Sequence, residues 1–148
     1  MRRAVPLLVA AALAAGCGGG GTPLSRPEFA AQGNAICRDL YRKLEAMPEP
    51  RDGDSLASTM EKARGHTEDA IDALDDLEPP ETAKASFEVF LARVRDELAL
   101  MEDVQDAAEE NDLPKALRKA NRGTRLDEQA SAAAAKAGLK VCARTARR

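Results

Sequence analysis

Residues 81–110 read ETAKASFEVFLARVRDELALMEDVQDAAEE, and their spacing decides the fold class. Ala83, Phe87, Phe90/Leu91, Val94, Leu98, Met101, Val104 and Ala108 recur at steps of three and four. That repeat places side chains on one stripe of an α-helix. The residues between them are mostly Glu, Asp, Arg and Lys, which solvate the opposite face. A strand would require alternation, and nowhere in the 148 residues do Val and Ile alternate with polar residues over a strand's length. Composition agrees: Ala, Leu, Glu, Asp and Arg dominate, aromatics make up 3%, and Trp is absent.

Three more segments of the same kind flank this one. Upstream, Ser25-Arg26-Pro27-Glu28 is a capping box with proline in the first turn. The helix it starts carries Phe29, Gly33, Ile36, Leu40, Leu44 and Met47 on one face, with Cys37 and Tyr41 beside it. Pro48-Glu49-Pro50 ends it, because a residue before proline is pushed out of the α region. Asp52-Gly53-Asp54-Ser55 is a turn that supplies the next N-cap. The second helix then runs to about Leu77, with Leu56, Met60, Ala63, Thr67, Ala70/Ile71, Leu74 and Leu77 inward. Glu78-Pro79-Pro80-Glu81 separates it from the third. Asn111 and Asp112 stop the third helix and cap a fourth, about Leu113 to Ala137. Its expected inner face is Leu113, Ala116/Leu117, Ala120, Gly123/Thr124, Ala130 and Ala134, and Gly138 is its C-cap. Short connections make neighbours antiparallel, so residues 26–148 are expected to form an all-α, up-down-up-down four-helix bundle.

The first residues stand apart from this domain. Arg2 and Arg3 precede an apolar stretch, Ala4 to Ala15, of 12 residues, too short to span a bilayer as a helix. It reads as a secretory signal occupying residues 1–16. LAAGC, Leu13 to Cys17, resembles the lipobox of bacterial lipoproteins. The resemblance implies cleavage before Cys17 and attachment of a diacylglyceryl group to its thiol, with fatty acyl chains such as palmitate in the membrane. Residues 17–25 would then be the lipidated cysteine and a leash, GGGGTPLS, with a root-mean-square reach of about 15 Å. Two or three acyl chains hold a protein at a membrane stably where one does not.

An ordinary secretory cut after Ala12-Leu13-Ala14 would leave Cys17, Cys37 and Cys142, an odd number of thiols outside the cytoplasm. Lipidation of Cys17 leaves two. Cys37 and Cys142 lie 105 residues apart, one in the first helix and one just after the fourth. The end of the fourth helix approaches the start of the first in such a bundle, so a disulfide between them is expected. AICRDL (35–40) and GLKVCA (138–143) also resemble small actinobacterial helical lipoproteins, which share this arrangement of cysteines. That resemblance supports the disulfide and implies no particular activity.

Charge is segregated along the chain. Residues 52–112 carry a net −14 and residues 113–148 a net +8. Lys115, Arg118/Lys119, Arg122 and Arg125 form a stripe on the fourth helix. Either they pair with Asp103, Asp106, Glu109 and Glu110 across the bundle, or they form a contact face for an envelope protein or an anionic envelope polymer. The acidic run Glu68-Asp69, Asp72, Asp75-Asp76 and Glu78 lacks an EF-hand loop. His66 is the only histidine, and Ala63 stands where a di-metal Glu-x-x-His bundle would have its glutamate. Neither G-x-S-x-G, a phosphate-cradling Gly-rich loop nor C-x-x-C-H occurs, and stacking aromatics for nucleic acid are missing.

The expectation is therefore a non-enzymatic, lipid-anchored protein on the outer face of the cell membrane, without metal or cofactor. It would act by contacting a protein or envelope component. The alternative is a small-ligand carrier with a pocket where the Ala-rich fourth helix meets Phe29, Phe87 and Phe90.

Overall fold

The computed structural model describes residues 22–144. The expected signal segment and Cys17 lie outside the described residues. Four helices follow in order: α1 (Arg26–Glu45), α2 (Gly53–Asp75), α3 (Glu81–Glu109) and α4 (Leu113–Ala137). The fold is all-α, with α1 on α2, α2 on α3, and the most extensive interface between α3 and α4. Cross-helix pairs run in opposite directions, Asp75 with Arg95 and Arg64 with Glu102, then Lys115 with Glu110 and Lys119 with Asp103. α3 is therefore antiparallel to α2, and α4 to α3.

The caps form as their residue types require. Ser25 Oγ accepts from the Glu28 amide while the Glu28 carboxylate accepts from the Ser25 amide. Asp52 and Ser55 make the same reciprocal pair at the start of α2. α2 ends two residues before the expected Leu77, because Pro79 and Pro80 push the chain out of the helical region early. Asp112 Oδ1 accepts from the Lys115 amide, and Gly138 closes α4 in the left-handed region at φ 90°.

The main core lies where α1 begins, α2 ends, α3 begins and α4 ends. It holds Phe29, Leu74, Phe87, Phe90, Leu91, Ala130, Ala133, Ala134, Ala137 and Leu139. Phe29 meets Phe87 edge-to-face, ring centroids 5.0 Å apart, a favoured aromatic geometry. A smaller cluster, Val104, Ala107 and Ala116 with Leu56 and Met60, sits at the other end.

Cys37 and Cys142 are joined by a disulfide, as expected, with Cα atoms 5.2 Å apart. The tail after α4 lies on α1. Leu139, wholly buried, presses into the gap left by Gly33, and the Val141 amide donates to Asn34 Oδ1 at 2.6 Å. Ser131 Oγ and Tyr41 Oη donate to tail carbonyls. This tail fastens α1 to α4.

α4 keeps only part of its expected inner face: Ala116, Ala130 and Ala134 are buried as expected, and its larger residues are not. Leu113, Leu117, Ala120 and Thr124 face solvent, whereas Ala116, Ala130, Ala133, Ala134 and Ala137 are buried. The reason is steric. α3 and α4 approach closely, and the four alanines of the C-terminal half allow that approach where leucines would hold the helices apart.

Candidate functional site

The basic stripe of α4 divides into two sets. Lys115 Nζ lies 2.7 Å from a Glu110 carboxylate oxygen, and Lys119 Nζ lies 2.7 Å from Asp103. The hydrogen bond from Lys119 holds the Asp103 carboxyl below its usual range, and the Glu110 carboxylate raises the Lys115 ammonium. These two lysines thus pair within the molecule. Arg118, Arg122 and Arg125 are exposed and make no ion pair within 4 Å among the described residues. They line one flank of α4, Arg122 and Arg125 bordering the seam with α3; Leu117, 64% exposed, lies beside Arg118, and Leu113, 42% exposed, lies farther round the helix.

This flank starts near one end of the bundle and reaches the middle of α4 at Arg125. Chain direction places the start of α4 beside the start of α2, where the second apolar cluster sits. The chain enters α1 at the opposite end, where the Leu24 amide donates to the Glu78 carbonyl and Phe29 meets Phe87. α3, 29 residues long, spans about 43 Å between the two ends.

A groove of about 710 Å³ runs along the α3–α4 seam. Asp96, Ala99, Leu100 and Asp103 of α3 and Arg122, Arg125 and Leu126 of α4 line it. It is not the place anticipated for a ligand. Phe29, Phe87 and Phe90 are almost wholly buried against one another in the main core.

A further set of residues was not picked out from the sequence. Tyr41 of α1, Glu97 of α3 and Asp127 of α4, each half-buried, lie near enough to act on each other's ionisation. Glu97 Oε1 is buried and has no hydrogen-bond partner among the described residues. Burial first, then the negative charge of Asp127, pushes the Glu97 carboxyl up to about 7. Burial raises Asp127 as well and carries the Tyr41 phenol to about 12. The signal existed in the sequence: Glu97 lies seven residues after Phe90 and seven before Val104, on the inner stripe of α3. A carboxylate at such a position is an exception to the apolar repeat.

His66 lies on α2, half-buried, beside Ile36, Asp39 and Lys43 of α1. Among the described residues no group of three or more His, Cys, Asp or Glu side chains is placed to hold a metal ion, and no helix is long and apolar enough to cross a membrane. The disulfide is that of a domain folded in an oxidising, extracytoplasmic setting. No family model, no curated protein and no solved structure matches the chain.

Proposed function

We propose that this chain is a non-catalytic, lipid-anchored protein of the extracytoplasmic membrane face, which contacts an envelope protein through the outward side of α4. One observation carries the reading. Arg118, Arg122 and Arg125, exposed and with no ion pair within 4 Å among the described residues, run along the half of α4 remote from the chain's entry into α1, with exposed Leu117 beside Arg118. An anchor at Cys17 would tether the entry end, so the far end would project from the membrane by roughly the length of the bundle. Exposed arginine is enriched at protein contact surfaces, and a row of arginines there selects an acidic partner. Lys115, satisfied by Glu110, takes a smaller part in this face than the three arginines.

The test uses the full chain in its own membrane, with a photo-cross-linking residue at Leu117. A discrete adduct is expected, lost when Arg118, Arg122 and Arg125 are all reversed to Glu. An adduct that survives the reversal removes this face from the proposal. The anchor is checked separately by intact mass: a chain beginning at Cys17 and carrying acyl groups supports it, and an unacylated chain overturns it. The carrier reading retains one supporting observation, the α3–α4 groove. Extra mass of a small molecule, retained by the native chain and lost on denaturation, would favour it.

A further inference from the structure

The meeting of α1, α3 and α4 has no place in the contact reading, and its chemistry is specific. Glu97 Oε1 is shut away from solvent, without a donor among the described residues. α4 presents Asp127, with Glu128 next to it, and α3 presents Asp96 beside Glu97, so the surroundings add negative charge. α1 presents the Tyr41 hydroxyl, already engaged with the Cys142 and Arg144 carbonyls at 3.2 Å each. α2 offers Arg64, whose guanidinium lies 3.7 Å from Glu102 instead, leaving its Nε unpartnered. In the tail, Arg144 is the cation close enough to act on Tyr41. An ionised Glu97 therefore meets an apolar setting, a missing donor and a like charge at once. A neutral Glu97 carries a proton it can donate and repels nothing.

We propose that Glu97, Asp127 and Tyr41 form a proton-operated clasp at the α1–α3–α4 junction. With Glu97 protonated, α1 and the C-terminal tail stay seated on α3 and α4. When it ionises opposite Asp127, that seat loosens while the disulfide keeps the tail attached. Tyr41 is the hinge of the effect, because its hydroxyl holds the tail backbone and both carboxyls act on its ionisation.

The chain supplies its own reporter. Tyr41 is the only tyrosine and there is no tryptophan, so intrinsic fluorescence reads this junction alone. The experiment follows tyrosine emission and amide protection of the disulfide-bonded chain between pH 5.5 and 8.5. Emission is expected to titrate with a midpoint near 7, and protection of the Val141 amide, corrected for intrinsic exchange, to fall by about tenfold across the same range. Glu97→Gln removes both changes, Asp127→Asn moves the midpoint to lower pH, and His66→Asn, which removes the only imidazole, leaves them in place. Flat emission in the native chain, constant Val141 protection, or an unaltered titration in Glu97→Gln would overturn the clasp. Should Glu97→Gln fail to fold, carbon-13 titration of the Glu97 carboxyl in the native chain decides instead. A midpoint near 7 supports the proposal and one near 4.5 overturns it.

Discussion

Two glycines in helix interiors show how a single residue's effect depends on what its missing Cβ would meet. Glycine inside a helix costs about 0.5–1 kcal/mol relative to alanine through backbone entropy. At Gly65, in α2, an added Cβ meets nothing within 4 Å. Gly65→Ala is therefore expected to stabilise the fold by about 0.5–1 kcal/mol in urea denaturation. At Gly33, in α1, an ideal Cβ would stand 2.6 Å from Leu139 Cδ2. Leu139 has no exposed surface and cannot swing away, so the tail must lift from α1. Gly33→Ala is expected to lose about 1–3 kcal/mol despite its better helix propensity, by overpacking. The same change in the same structural class thus has opposite signs. Gly33 was legible in the sequence as an inward position, whereas the residue it receives was not, because a contact across 106 positions leaves no local periodicity.

At the scale of elements, the helices whose large apolar residues recur at one spacing, α1 to α3, could be read directly, and their caps at Ser25 and Asp52 with them. α4 could be placed but only partly oriented, through Ala116, Ala130 and Ala134. Its leucines outweigh its alanines in any apolar pattern, so the reading turned Leu113 and Leu117 inward, whereas close packing against α3 selects the small residues. The consequence is measurable. Leu117→Ser, at a position 64% exposed, is expected to change stability by no more than about 0.5 kcal/mol, as surface substitutions do. Ala134→Leu, at a position with no exposed surface, is expected to cost about 1–3 kcal/mol or more, since the added atoms force α3 and α4 apart. If α4 instead had the register that its leucines suggest, the first substitution would be the costly one. Asp112→Ala, which removes the side chain that caps this helix, is expected to cost about 1 kcal/mol in the same denaturation series.

At the scale of the whole molecule, the cysteine pairing was legible by parity once Cys17 was set aside, but the Tyr41, Glu97 and Asp127 cluster was not, because its members come from three helices. These two features govern different properties. The disulfide closes a loop of 105 residues, and replacing both cysteines by serine is expected to cost about 2–5 kcal/mol. The ionisable groups govern the pH profile, and their signs oppose one another. Hydrogen bonds from Ser25, Lys43, Ser55 and Lys119 hold Glu28, Asp39, Asp52 and Asp103 below their usual values. Each of these contributes stability that is present above the unfolded-chain pKa, 3.8 to 4.5, and is lost as pH falls through the lower folded value. Glu97, raised to about 7, acts in the other direction: its contribution is complete below 4.5 and is lost as pH rises to 7, with Asp127 adding to the same slope. Stability should therefore peak near pH 5 and decline on both sides. Urea midpoints measured from pH 3 to 8 would check this. In Glu97→Gln the alkaline decline should flatten while the acidic one persists, because the capping and surface carboxylates that cause the acidic decline are untouched.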